Sequence, residues 1–193
     1  MALRNIVTKG DPILGKKCRI VDVIDEKIIT LLEDMRETMI AGNGVGIAAP
    51  QVGMLKRICI CMSDPENSDE IIELINPEIL EAEGEQEGYE GCLSVPDMVG
   101  AVIRPQRIKV KALDRSGTEN TYDFSGFAAV VASHEIDHLD GILYVDKARD
   151  VHNPQEDEKE STAKGVDLEQ VIARCKSLLR TTQIGRASCR ERV

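Results

Sequence analysis

Tryptophan is absent from this chain, and aromatic residues make up only 3% of its 193 positions. A core built from such a sequence must be filled by Val, Ile, Leu and Met. Basic residues are also in deficit: 24 Lys and Arg face 34 Asp and Glu, for a formal charge of −10, and no basic cluster stands out. That argues against a nucleic-acid-binding surface, because phosphate backbones select clustered Lys and Arg. No apolar run approaches the roughly 20 residues that span a bilayer. The start, Met1-Ala-Leu-Arg-Asn5, lacks the apolar core of a signal peptide. No membrane is expected, and the cytoplasm is the expected compartment. The six cysteines, at 18, 59, 61, 92, 175 and 189, show no zinc-ribbon spacing, so a disulfide framework is not expected either.

What is present suits one soluble domain with an aliphatic core: 42% hydrophobic and 30% charged residues. Apolar positions at Ile28, Leu31, Leu32, Met35 and Met39 predict a helix over 25–41, with Asp25 as N-cap and Gly42 as stop. A Gly-rich segment, Gly42 to Gln51, follows. Strands are expected at 56–62, 71–76, 79–83, 108–114 and 119–124. Cys59 and Cys61 stand two apart in the first of these, which places both on one strand face as small packing residues. A second helix is expected from about Phe127 to Leu139, with Phe127, Val130, Val131, His134 and His138 on one stripe and Gly141 ending it. Residues 152–165 read as a solvated polar loop and 166–179 as a terminal amphipathic helix. The last ten residues, Ile184 to Val193, resemble the translation of a DNA-sequencing adapter and are set aside, Cys189 with them.

The chemistry centres on His134-Glu-Ile-Asp-His138. Two imidazoles four residues apart share one helix face and can reach one metal ion, with Glu135 beside them. In such sites the metal acidifies a bound water and the carboxylate carries its proton. A third protein ligand is needed to leave one position open for water. His152, Asp146 and Asp150 are weak candidates. Cys92, in Glu90-Gly-Cys-Leu-Ser-Val-Pro96, is the best, although a lone Cys is commonly a buried apolar residue.

Three segments resemble, in order and type, the signatures of the peptide deformylase family: Gly44-Val-Gly-Ile-Ala-Ala-Pro-Gln51, Glu90-Gly-Cys-Leu-Ser94 and His134-Glu-Ile-Asp-His138. The likeness runs from Leu3 to about Asp146 and includes Gly10-Asp-Pro-Ile-Leu14, Ile75-Asn-Pro77 and His138-Leu-Asp-Gly141. It implies an α+β fold in which small antiparallel sheets surround a central metal-binding helix, with further helices at the N- and C-terminal ends. Residues 1–150 are then the catalytic domain, 151–183 the polar loop and C-terminal helix, and 184–193 a non-native tail. It further implies Cys92, His134 and His138 as ligands of one divalent ion, Fe(II) natively, with zinc, nickel or cobalt able to replace it. Glu135 is the implied proton carrier, and the Gln51 side chain and Leu93 N–H the oxyanion donors. Gly44, Val45, Gly46, Glu90, Gly91 and Val131 are the implied substrate contacts, with Arg104, Asp137 and Ser133 as their support. Ser133 departs from the Gln usual in bacterial members, which puts turnover rate in question rather than metal binding. The implied substrates are N-formylmethionyl peptides, met near the ribosome. Arg174, Lys176 and Arg180 of the terminal helix are suggestive of a ribosome contact, although a solvated surface explains them as well. A deformylase-like metal-binding protein without useful catalysis is the rival reading, and the intact Glu135 argues against it.

Overall fold

The fold is that of a computed structural model in which residues 2–63 and 71–156 are described. The chain divides into two compact units, 1–152 and 153–193, and every element named here lies in the first. The helix expected at 166–179, most of the loop expected at 152–165 and the tail at 184–193 lie outside the described residues.

The three-and-four spacing of Ile28, Leu31, Leu32, Met35 and Met39 winds Glu26–Ala41 into helix α1 and buries all five. Asp25 starts the helix as expected. Its carboxylate accepts from the N–H groups of Lys27 and Ile28, donors that a helix N-terminus leaves unpaired. The Gly42 N–H closes the other end on the Thr38 and Ile40 carbonyls.

Strands follow at β1 (Gly46–Ala48), β2 (Ile58–Met62), β3 (Ile71–Glu83), β4 (Gln86–Cys92), β5 (Val95–Arg104), β6 (Arg107–Leu113), β7 (Glu119–Ser125) and β8 (Arg149–His152). They pair antiparallel in two sheets, β1-β2-β3-β6-β7 and β4-β5-β8. Helix α2 (Phe127–Leu139) covers one face of the larger sheet and α1 the other. Strand β2 therefore buries both its faces. Cys59 and Cys61 join Ala129, Ala132 and Ile136 of α2, while Ile58, Ile60 and Met62 join Leu31, Leu32 and Met35 of α1. The two thiols thus share a strand face, as their spacing predicts.

Two differences from the expected strands have local causes. The segments expected at 71–76 and 79–83 are one strand, β3, because a register shift between Ile75 and Glu78 absorbs Asn76-Pro77; a second shift, between Ile79 and Glu81, falls at Leu80. Asn76 takes φ +54, and its side chain bonds both the N–H and the C=O of Val21 at 2.8 and 2.9 Å. Strands β1, β4, β5 and β8 have no counterpart among the expected strands. Glycines and acidic residues break the apolar alternation over 86–92, and the hairpin is held by pairs running from Gln86 with Arg104 to Gly91 with Val99. Strand β8 also occupies 149–152, so the polar segment begins after it.

Helix α2 runs Phe127–Leu139 as its stripe predicts. Gly141, at φ +77, turns the chain against Gly15; a Cβ there would lie 2.7 Å from the Gly15 carbonyl. Among the described residues no helix is long and apolar enough to cross a membrane.

Candidate metal centre and active site

Helical period places His134 and His138 one turn apart on α2, with ring centroids 5.0 Å from each other. Facing them is the tip of the β4–β5 hairpin. A register shift between Gly91 and Cys92, closed by the Cys92–Val95 pair, leaves Leu93 and Ser94 as a tight connection and turns the Cys92 thiol toward α2. Its Sγ lies 3.3 Å from His138 Nε2, and the ligand atoms of Cys92, His134 and His138 all fall within 4.8 Å of one another. A 3.3 Å edge suits two ligands bound at roughly 2.0–2.3 Å to one tetrahedral ion. The donor chemistry, one thiol and two imidazoles, fits a borderline divalent metal.

The other candidate ligands are not brought here. Asp146 accepts the Leu143 N–H, and His152 sits beside its own Asp150 carbonyl with its ring edge-on to Tyr89. Cys59 and Cys61 are fully buried, and burial pushes the Cys61 thiol up to about 12, which keeps it protonated.

A second ring of groups fixes the ligands. His134 Nδ1 lies 2.8 Å from Glu90 Oε2, which leaves Nε2 for a metal. Arg104 bonds both Glu90 oxygens, at 2.7 and 2.9 Å, and also Asp137 on α2. It is 4% exposed, so this is a buried clamp rather than a surface ion pair. Glu90 lines the cavity, yet its oxygens are spent on Arg104 and His134. Asp137 also receives Lys147, at 2.6 Å. Ser133 is buried with its hydroxyl unpaired among the described residues.

Electrostatics divide the two imidazoles in the absence of metal. Burial drives His138 down to about 3, so it is neutral and ready to ligate. Burial also opposes charge on His134, but contacts with Cys92 and Glu90 outweigh it and lift that ring to about 10. Metal binding there releases a proton. Burial raises the Glu135 carboxyl to about 7, with the His134 charge offsetting part of the rise. An acid near neutrality can both take and return a proton.

Gln51 closes the third side. Its Oε1 accepts the Ala48 N–H at 2.7 Å, which aims Nε2 at Cys92 Sγ, 3.4 Å away, and Ser94 Oγ, 3.2 Å away. The N-terminal arm holds this loop and the hairpin together: Val7 N–H donates to the Gln51 carbonyl and Lys9 N–H to the Ser94 carbonyl. These groups open on a cavity of about 440 Å³ whose walls include Gly44, Val45, Gly46, Gly91, Leu93, Val131 and Glu135. Val131 belongs to the core and to the cavity wall at once.

Asn43, Tyr89, Pro96, Asp97, Phe127 and Val130 also line the cavity and are missed as site residues by sequence reasoning. Scarcity was the usable signal. In a chain with two Phe and three Tyr, Phe127 and Tyr89 stay largely exposed at this one cavity.

Water activation beside a proton-accepting carboxylate is hydrolytic chemistry, so the fold and centre define the chain first as a metal-dependent hydrolase. The family profile of polypeptide deformylases matches residues 3–154. A peptide deformylase of Acetivibrio thermocellus is 56% identical over 147 residues, covering 76% of this chain and 84% of that one. The crystal structure of a peptide deformylase from Thermotoga maritima superposes with a TM-score of 0.73 at 37% identity, over 77% of this chain and 99% of that one. A Met-Ala-Ser-bound class I type b peptide deformylase from Acinetobacter baumannii gives 0.71 at 38% identity, over 76% and 98%. The chain belongs to the polypeptide deformylase family, metal-dependent hydrolases of the formyl amide at the start of a polypeptide.

Proposed function

We propose that the chain removes the formyl group of N-formylmethionyl peptides with Cys92, His134 and His138 as the protein ligands of one divalent ion. One observation carries this reading. Glu135 lies on the cavity wall directly after His134, and no described group hydrogen-bonds its Oε2. When bound, the ion supplies Lewis acidity that acidifies water and polarises the formyl carbonyl. By family likeness it is Fe(II) in the cell, and zinc, nickel or cobalt suit the same donors in a purified sample.

Glu135 accepts one proton of the attacking water as the water oxygen bonds to the formyl carbon. The carbonyl electron pair moves onto the formyl oxygen, where Gln51 Nε2 and the Leu93 N–H donate hydrogen bonds. Glu135 then hands its proton to the amide nitrogen as the C–N bond breaks. Formate and a free N-terminal amine leave, and the second water proton departs with the ionising formic acid. Gly44, Val45, Gly46 and Gly91 give the peptide backbone an edge to pair with, and Val45 and Val131 receive the methionine side chain. The tripeptide on the Acinetobacter baumannii relative supports a Met-first ligand for this cavity. Arg104, Asp137 and Glu90 orient His134, and Ser133 modulates the rate.

We assign residues 1–150 as the catalytic domain, consistent with the family match over 3–154. The substrate places the work in the cytoplasm near the ribosome, and co-sedimentation with and without 166–179 tests that contact. The function itself is tested anaerobically by measuring metal content and formate release together. Glu135→Gln is expected to keep about one metal per chain and lose about 10²–10⁴-fold in turnover. Unchanged release would remove Glu135 from its role.

A further inference from the structure

We infer that Gly46 is a positioning residue for Glu135: the side chain it lacks is the socket in which the Glu135 carboxylate sits. This rests on Glu135 as the proton-transfer group.

The backbone at Gly46 does not demand glycine, since it is not among the glycines with positive φ. Substrate pairing does not demand it either, because main-chain N–H and C=O groups are offered by any residue. Strand alternation shows what does. Ile47 packs in the cluster of α1 and Ala48 in the cluster of α2, so Gly46, two before Ala48, presents its Cα to α2. Standing there is Glu135. A Cβ on Gly46 would lie 2.5 Å from Glu135 Oε1, 2.8 Å from its Cγ and 2.9 Å from its Cδ. All three nearest atoms belong to this one side chain and none to backbone.

An added methyl therefore collides first with the Glu135 side chain and evicts its carboxylate. Glu135 is 4% exposed where it sits, so once displaced its carboxylate has to move into the cavity it lines, away from its place beside His134. Gly44 is not interchangeable with Gly46. Its Cβ would meet Leu93 Cδ1 at 2.9 Å instead.

The test is a double-mutant cycle of Gly46→Ala with Glu135→Ala, which removes all three atoms that collide. Each metal-loaded variant is read for kcat and KM on formyl-Met-Ala, metal content and melting temperature. Gly46→Ala alone is expected to lose about 10²-fold in kcat with KM nearly unchanged and metal retained. The methyl is expected to lower the melting temperature when Glu135 is present and to leave it nearly unchanged in the Glu135→Ala background. Equal losses of melting temperature in both backgrounds, a loss confined to KM, or wild-type kcat in Gly46→Ala would overturn the proposal. Should Gly46→Ala not fold, Gly46→Ala/Glu135→Ala is expected to fold, and failure of both would place the collision elsewhere. The two readings separate cleanly. Full turnover in Glu135→Gln removes the proton-transfer role, while the coupled melting temperatures would still report the socket.

Discussion

The two walls of the metal centre are built by different means. On the α2 wall, His134, Glu135 and His138 come from five consecutive positions, and helical period alone sets their spacing. The opposite wall is assembled from separate pieces: Glu90, Cys92 and Leu93 from the hairpin tip, Gln51 from the loop after β1, and an N-terminal arm that buttons the two together through Val7 and Lys9. Arg104 joins the walls, bonding Glu90 on β4 and Asp137 on α2. A locally encoded wall tolerates changes in the rest of the chain. An assembled wall depends on each of its ties.

Cutting the tie between walls should have the largest effect. Arg104→Leu leaves Glu90 and Asp137 without their shared cation in a buried site, and a loss of about 3–5 kcal/mol in urea unfolding is expected. A loss below about 1 kcal/mol would show that the walls hold without the clamp. Next in size is Gln51→Ala on the assembled wall. Removing the oxyanion donor proposed here is expected to lower kcat by about 10²–10³-fold, measured as formate release, with metal content unchanged. A rise in KM alone would instead assign Gln51 to substrate binding.

Acid sharpens the comparison further. Burial alone would raise the Glu90 carboxyl, but bonds from Arg104 and His134 hold it at about 2 against an ordinary 4.5. A carboxyl lowered by folding stabilises the native state above its ordinary value, and that contribution fades as pH falls from about 4.5 toward 2. Unfolding free energies measured across this window should fall more steeply in the wild type than in Glu90→Gln. Parallel slopes would break the assignment. The smallest effect belongs to Asp25→Ala, far from both walls on the other face of the sheet. It should cost about 1 kcal/mol of stability and leave turnover unchanged.

The sequence by itself determined the two helices, the shared face of Cys59 and Cys61, and the pairing of His134 with His138, because these follow from periods of two and 3.6 that nearby residues carry. The ordered motifs also announced the family and its chemistry. The motifs also put Cys92 ahead of Asp146, Asp150 and His152, but only the tertiary structure brought its thiol within reach of both imidazoles, showed Arg104 bonding Glu90 and Asp137 together, and seated Glu135 against Gly46. Cys92 and His138 are 46 positions apart, and the strand pairing that joins them leaves no period in the sequence between. Distance along the chain is the physical reason: local sterics repeat and can be read, whereas a contact closed across the fold exists only once every tie around it has formed.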